Sequence, residues 1–203
     1  MEGSLVAKPA KAPMSLRERN KLQTREHLLD IAGKLIARDG FVETTVDDIA
    51  AASGTSRATV YAYFPTKEDI LSAMSEEMFD RANDLYLKFA MLSDWSQPVL
   101  RGWLDQVSEA WRLNKVRTTA VARYFVILDG AERNDRFIET LTSRAELWSK
   151  FSAAEKRARA VLLISTVQSF FASWYVQEWK FDEEFAMETL ADACYAILHR
   201  SSV

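Results

Sequence analysis

Residues 45–62 read TVDDIAAASGTSRATVYA and contain two short helical patterns with a turn between them. Thr45 and Asp48 have the spacing of a capping box, in which each side chain bonds the backbone N–H of the other residue, so a helix is predicted to begin here. Residues 53–55 (SGT) are typical of a turn, and Ser56 can cap a second helix. Two short helices joined by so tight a turn predict a helix-turn-helix.

The chain on either side of this unit is also helical in pattern. Apolar residues between Leu28 and Ile36 recur at three- and four-residue spacing, and the pattern stops at residues 39–41 (DGF), as it does where a helix ends at a glycine. Thr66 and Asp69 form another capping box. Beyond residue 98 there is no proline and no strand-like alternation. The predicted later helices span roughly 67–92, 97–114, 117–129, 134–151, 154–179 and 182–200.

These patterns predict an all-α protein with a small three-helix head followed by a larger helical body. The first 15 residues mix Pro, Ala, Gly and Lys without a period, which is typical of a flexible segment. We therefore divide the chain into a flexible basic N-terminal arm (1–20), a helix-turn-helix head (21–67) and a helical body (68–203). Of the 23 aromatic residues, 19 lie after residue 67, which supports a division into two modules.

Composition excludes several classes of protein. The 203 residues carry 26 Lys/Arg and 29 Asp/Glu, but residues 1–38 hold eight basic and four acidic residues, so the amino end is suited to a polyanion. No apolar run approaches the roughly 20 residues of a membrane span, and no signal-peptide core is present. The single cysteine, Cys194, excludes an internal disulfide and fits a reducing compartment. We expect a cytoplasmic protein.

The sequence gives little support to catalysis. Its two histidines, His27 and His199, are accompanied by no triad, metal-ligand spacing or phosphate-binding loop. Cys194 lies on an apolar stripe, as a buried small hydrophobe would. We therefore expect no enzyme activity, no catalytic residue, no cofactor and no metal.

The second helix of the helix-turn-helix carries residue types suited to DNA. The Arg57 guanidinium can read guanine, Thr59 can bond a base or present a methyl group, and Ala58 lets the backbone approach base edges. Tyr61 and Tyr63 carry hydroxyls that can reach phosphates. Two residues outside this helix, Lys67 and Thr45, could contact phosphates in the same way. A plain capped helical hairpin is the alternative for such a unit.

Residues 31–71 resemble the DNA-binding head of the tetracycline-repressor (TetR) family of bacterial transcription regulators. The resemblance includes Gly-Phe after the first helix, Thr-Thr-Val-x-x-Ile-Ala, the Ser-Gly-x-Ser turn and Tyr-x-Tyr-Phe-x-x-Lys-Glu. It implies binding to a double-stranded DNA operator through Thr45, Ser56, Arg57, Ala58, Thr59, Tyr61, Tyr63 and Lys67. It also implies a head core of Phe41, Val46, Ile49, Ala50, Val60 and Phe64. The arm with Lys8, Lys11, Arg17 and Arg19 resembles extensions that enter the minor groove, although a disordered tail is the alternative.

The resemblance further implies a body that binds a small-molecule effector and forms a homodimer. Binding two half-sites about 34–36 Å apart requires two-fold symmetry. The predicted interface is a four-helix bundle of the last two helices, which also carry Val161, Leu162 and Phe185; its residues are Ile164, Gln168, Phe171, Tyr175, Leu190 and Ile197. Ordinary monomer core is the alternative.

Aromatic residues of the body suit a flat or hydrophobic effector of unknown identity. The candidate ligand-binding residues are Trp103, Val107, Trp111, Tyr124, Phe125, Leu128, Trp148 and Phe151. Taken together, the expected function is a repressor released from a palindromic operator by such an effector. The alternative is a helical small-molecule-binding or adaptor protein without operator function.

Overall fold

The computed structural model describes residues 14–122, 130–180 and 182–199. These residues form nine α-helices and no strand, so the prediction of an all-α protein is confirmed. The helices are α1 (Leu16–Asp39), α2 (Val46–Ala52), α3 (Arg57–Tyr63), α4 (Lys67–Ala90), α5 (Gln97–Ala122), α6 (Gly130–Leu141), α7 (Ala145–Trp148), α8 (Ala153–Tyr175) and α9 (Glu183–Leu198). None of the helices in the part of the chain that the structure describes is long and apolar enough to cross a membrane.

Capping boxes begin four of the helices. The two predicted at α2 and α4 are present, with both reciprocal bonds formed. Ser15 and Glu18 form another at the start of α1, where the Glu18 carboxylate accepts from the Ser15 backbone N–H at 2.8 Å. This box starts α1 at Leu16, so residues 16–20 are helical and do not belong to the flexible arm to which we assigned them. Of the other fifteen arm residues, 14 and 15 precede the helix and 1–13 lie outside the described range.

Two predicted helix boundaries in the body are wrong. No break occurs between 114 and 117, because α5 packs into the body core before this point, through Val107, and into the head core after it, through Ala120. The predicted helix 134–151 is instead divided into α6 and α7. Helix α6 ends at Leu141. The hydroxyl of the next residue, Thr142, donates to the Ile138 carbonyl at 2.7 Å.

Buried side chains form two separate cores. The head core contains Ile49, Ala50, Val60 and Phe64, as predicted, with Phe41 and Val46 half-buried at its edge. It also contains residues of the body helices, namely Ala73 and Met74 of α4 and Ala120 and Val121 of α5. The body core is larger and rich in aromatic residues. The head is therefore completed by helices that follow residue 67, and the predicted boundary at that residue does not divide the packing.

Candidate DNA-binding site

The turn between α2 and α3 is held by local bonds and by one glycine. Gly54 adopts φ +67°, a left-handed conformation that favours glycine. The N–H of Thr55 donates to the carbonyl of Ala50 at 2.9 Å, and Ser56 then caps α3 by accepting from the N–H of Thr59 at 3.1 Å. Val60 is fully buried beneath α3. Because Val60 anchors one face of α3 in the head core, the opposite face of the helix is exposed to solvent.

The eight predicted DNA contacts divide into exposed and engaged groups. Arg57, Ala58 and Tyr61 are exposed together on α3. The hydroxyls of Thr45 and Ser56 are also exposed, but each is already bonded within its cap, Thr45 to Asp48 at 2.6 Å and Ser56 to Thr59 at 2.9 Å. The remaining three, Thr59, Tyr63 and Lys67, are half-buried. The strongest candidates for base contact are therefore those at the start of α3.

Arg57 is held in place by two neighbours that sequence reasoning did not assign to it. Its Nε lies 2.9 Å from the Asp47 carboxylate of α2, while the Arg57 side chain remains 61% exposed. A hydrogen bond with the Tyr61 hydroxyl and the charge of Asp47 raise the pKa of Arg57. A guanidinium has five N–H donors, so donors that can pair with guanine remain after the contacts with Asp47 and Tyr61. Asp47 stands in the first turn of α2, where an acid is expected for the helix dipole alone, so no local pattern indicated this contact specifically.

Lys67 has an internal role that the sequence did not predict. Its Nζ lies 2.5 Å from the carbonyl of Phe41, 3.3 Å from that of Val42 and 2.9 Å from that of Thr44. The ammonium also lies 4.3 Å from the centre of the Phe41 ring. Because an ammonium has three donors and all three are directed at carbonyls, a phosphate would have to displace one of these bonds. Lys67 thus fastens the α1–α2 loop to α4, and its predicted contact with a phosphate stays a prediction.

A buried arginine joins the head to the body. Arg117 of α5 donates to Glu77 of α4 at 2.5 Å and to Glu26 and Asp30 of α1 at 2.9 and 2.7 Å. Its side chain is 10% exposed. The three carboxylates come from distant parts of the sequence, which explains why no local pattern indicated this junction.

The predicted effector-binding aromatics lie in the body core. Trp103, Val107, Trp148 and Phe151 are buried there, and Trp111 is partly buried against the same core. The Trp103 indole donates to the carbonyl of Leu85 at 2.9 Å. Tyr124, Phe125 and Leu128 lie outside the described residues.

One polar atom in this core lacks a partner. Among the described residues, the Trp95 indole nitrogen is buried without a hydrogen-bond partner. Its ring lies 4.8 Å from that of Trp148 and 6.5 Å from that of Phe151. An unpaired buried donor beside two of the predicted ligand-binding residues is the kind of group that a bound acceptor can satisfy.

Three of the six predicted dimer-interface residues are buried within the protomer, and the other three are half-buried. Ile164, Phe171 and Leu190 are buried in the core of their own protomer, so they offer no surface to a partner. Gln168 donates to the Tyr86 hydroxyl at 3.3 Å, and Tyr175 bonds Ser108 of α5 at 2.9 Å. Ile197 is only partly exposed and packs against the core. When a helix is apolar around most of its circumference, its sequence does not show which side packs in the core. The large exposed apolar residues of α8 and α9 are Val161, Leu162, Phe185 and Tyr195.

The cysteine and the two histidines lie in surroundings that the following contacts define. Burial raises the pKa of the Cys194 thiol to about 12, so it is present as a neutral thiol near pH 7. His27 is exposed on α1, and the His199 ring stands at the end of α9 with Nδ1 2.9 Å from the Tyr195 carbonyl.

An exposed recognition helix on a three-helix head, completed by a larger helical body, defines the chain as a helix-turn-helix DNA-binding protein. Residues 28–74 match the family described as bacterial regulatory proteins of the tetR family. The chain is a transcriptional regulator, a class that binds DNA and is not a class of enzymes, and this match supports the TetR family together with the similar proteins that follow. The resemblance seen in the sequence is thereby confirmed.

Similar proteins extend over most of the chain. The HTH-type transcriptional regulator AcrR of Shigella flexneri is 25% identical, with 79% of this chain and 82% of that protein covered. The HTH-type transcriptional repressor KstR2 of Rhodococcus jostii is 30% identical over 61% of each chain. Among solved structures, the TetR-family regulator PfmR of Thermus thermophilus has a TM-score of 0.62 and 22% identity, covering 84% of this chain and 96% of its own. This structure supports the fold.

Proposed function

We propose that the protein is a repressor that binds a palindromic operator as a homodimer and leaves it when a hydrophobic or aromatic molecule enters the body. The observation that carries the operator-reading role is the exposed Arg57, oriented by Asp47 and Tyr61 at the start of α3. A guanidinium that is oriented by two neighbours and keeps further N–H donors is suited to the O6 and N7 acceptors of guanine. The proposed place of action is the cytoplasm.

The remaining predicted contacts have different roles in this proposal. Ala58 permits close approach of α3 to the bases, and Thr59 contacts a neighbouring base. The hydroxyls of Tyr61 and Tyr63, the cap hydroxyls of Thr45 and Ser56, and the backbone at the start of α3 contact phosphates. Lys67 supports the site by holding the α1–α2 loop, rather than by binding DNA directly.

The dimer proposal uses the exposed faces of the last two helices. Leu162 is 55% exposed on α8 and Phe185 is 70% exposed on α9, so each protomer has apolar surface to bury. The occupant we infer is a second copy of this chain, because two heads are needed for a two-fold operator. Light scattering should give a dimer for the parent chain and a monomer for Leu162→Arg. A monomeric parent chain would contradict this part of the proposal.

The effector proposal rests on the unpaired indole of Trp95 and the rings around it. An effector with a flat apolar body and a hydrogen-bond acceptor would satisfy this N–H. Binding to a body state with a different orientation of α4 would lower DNA affinity by the preference of the effector for that state. Trp95→Phe keeps an aromatic ring and removes the N–H donor. Once an effector is identified, this variant should bind it more weakly than the parent chain does, while its affinity for the operator stays unchanged.

Selection of random duplex DNA by the purified chain, repeated over a salt series, tests the operator proposal. Enrichment of a palindrome with half-sites about one helical turn apart supports it. Weak binding that is indifferent to sequence would instead favour a helical ligand-binding or adaptor protein without operator function. The sign of regulation is then tested by transcription in vitro from a promoter that carries the selected palindrome.

A further inference from the structure

A cleft on the surface of the body combines cations with aromatic rings. It has a volume of about 270 Å³ and lies between α5 and the end of α8. Arg112, Lys115 and Lys180 supply positive charge, and Trp174 and Trp179 supply aromatic surface. It contains none of the residues predicted from sequence to bind the effector. Its size suits a small molecule with one or two rings.

The turn that ends α8 places two of the lining residues. The N–H of Trp179 donates to the carbonyl of Ser173 at 3.0 Å, which folds the chain back over the helix end. Glu178 adopts φ +58° in this turn, a conformation that favours glycine. A residue with a charged side chain thus stands where glycine is usual, beside the 57%-exposed Trp179.

One of the residues that line the cleft is an acid, Glu178, whose carboxylate pairs with a cation of the cleft. The Lys115 ammonium donates to Glu178 Oε1 at 2.6 Å across the cleft. This bond, with the charges of Lys115 and Lys180, lowers the pKa of Glu178. The neighbouring Arg112 is engaged by Glu109 at 2.7 Å. Lys115 is therefore the cation whose carboxylate partner a ligand could replace within the cleft.

The floor of the cleft is tied to α5 and to the body core. The Trp174 and Tyr175 rings stack at 5.5 Å, and Tyr175 stacks at 6.1 Å on Phe171, which is fully buried. The Tyr175 hydroxyl also bonds Ser108 of α5 at 2.9 Å. Lys115 itself precedes the junction residue Arg117 by two positions on the same helix. Occupation of the cleft would therefore act directly on the helix that contacts the head.

We propose that this cleft is a binding site for an aromatic carboxylate, whose ring packs on Trp174 and Trp179 and whose carboxylate replaces that of Glu178 on Lys115. The ring contributes apolar contact, and the carboxylate contributes a charge-assisted bond at a partly exposed cation. The site differs from the effector site proposed at Trp95. Its use in regulation rests on the proposed function, whereas binding itself does not depend on DNA.

Isothermal titration calorimetry of the full chain with 2-naphthoate tests the site. Lys115→Gln should weaken binding by about five- to tenfold, because the cation is lost. Glu178→Gln should tighten binding by a similar factor, since the internal competitor is removed. Neutral 2-naphthamide should bind more weakly than 2-naphthoate, and this difference should decrease with added salt. Lys88→Gln, which removes an exposed cation on α4, should leave binding unchanged.

Lys115→Gln and Glu178→Gln are expected to change the affinity for 2-naphthoate in opposite directions. A general loosening of the fold would lower the affinity in both variants. Equal affinity in the parent chain, Lys115→Gln and Glu178→Gln would overturn the proposal, as would equal binding of 2-naphthoate and 2-naphthamide. Absence of saturable binding at millimolar 2-naphthoate would also overturn it. None of these results depends on an operator, so failure of the DNA proposal is recognised separately.

Discussion

The reading surface on α3 and the junction beneath the head each pair an arginine with carboxylates, yet they differ in exposure. Arg57 is 61% exposed and is oriented by one acid, Asp47. Arg117 is 10% exposed and is bonded to three acids. The exposed arginine is oriented but keeps donors for another molecule, whereas the buried one has its donors committed within the protein. Burial and number of partners, rather than residue type, distinguish a binding group from a structural one.

The largest expected effect is at the junction. Arg117→Met should lower the free energy of unfolding by about 2–3 kcal/mol, because three carboxylates lose their common partner. The value is below that of a fully buried pair, since the Glu26 and Asp30 side chains are 46% and 58% exposed and solvent screens them. For a chain of this length the melting temperature should fall by about 5–10 °C.

Arg112→Met is the matched control for this change. Arg112 lies on the same helix, its side chain is 62% exposed, and it pairs with Glu109. Calorimetric melting of both variants should show a clear loss for Arg117→Met and almost none for Arg112→Met. Equal melting temperatures in the two variants would remove the distinction between the junction and the surface.

The second expected effect is on DNA recognition. Arg57→Ala should relax base preference at one position of each half-site, by roughly 5- to 150-fold, while the melting temperature stays unchanged. Asp47→Asn should cause a smaller loss at the same position, because Arg57 remains but is less well oriented. Competition binding with single-base variants of the selected operator measures both. Unaltered preference in Arg57→Ala would show that α3 reads bases through other residues.

Lys67 stands between the two arginines in exposure and sharpens the comparison. Lys67→Met should lower the free energy of unfolding by about 1–2 kcal/mol, because three carbonyls lose a charged donor. The slope of log affinity for DNA against log salt should remain unchanged. A slope smaller by about 1 would instead indicate that Lys67 contacts a phosphate, as the sequence alone predicted.

The smallest expected effect concerns the cap of α2. The side chain and backbone of Thr45 donate hydrogen bonds to the Asp48 carboxylate and lower its pKa from 3.8. The carboxylate therefore stabilises the folded state above the ordinary pKa, and this contribution is lost as the pH falls through the lowered value. Asp48→Asn should melt earlier than the parent chain at pH 7, and the difference should shrink below about pH 4.

Asp84→Asn, on the exposed face of α4, is the control for this pH series. Its difference from the parent chain in melting temperature should stay near zero over the same range. A constant difference for Asp48→Asn at all pH values would mean that the charge of the cap contributes nothing.

The reliability of sequence reasoning followed the range of the interactions involved. The caps at Thr45 and Thr66 and the turn at Gly54 are formed by residues within a few positions of one another, and they were predicted correctly. The break expected between 114 and 117 was wrong because burial of α5 between head and body favours a continuous helix. Three of the six predicted dimer residues, Ile164, Phe171 and Leu190, are buried in their own protomer, since periodicity identifies an apolar helix but not which of its sides meets the core.

The sequence by itself determined the all-α class, the helix-turn-helix and the family, because caps, turns and the motif in residues 31–71 are local. Tertiary structure decided the partners of each charged group: Asp47 for Arg57, three carboxylates for Arg117 and three carbonyls for Lys67. It also decided the pairing of Lys115 with Glu178 across the cleft. These partners lie 10 to 91 positions apart in the chain, so only folding brings them within the few ångströms at which charges and hydrogen bonds act.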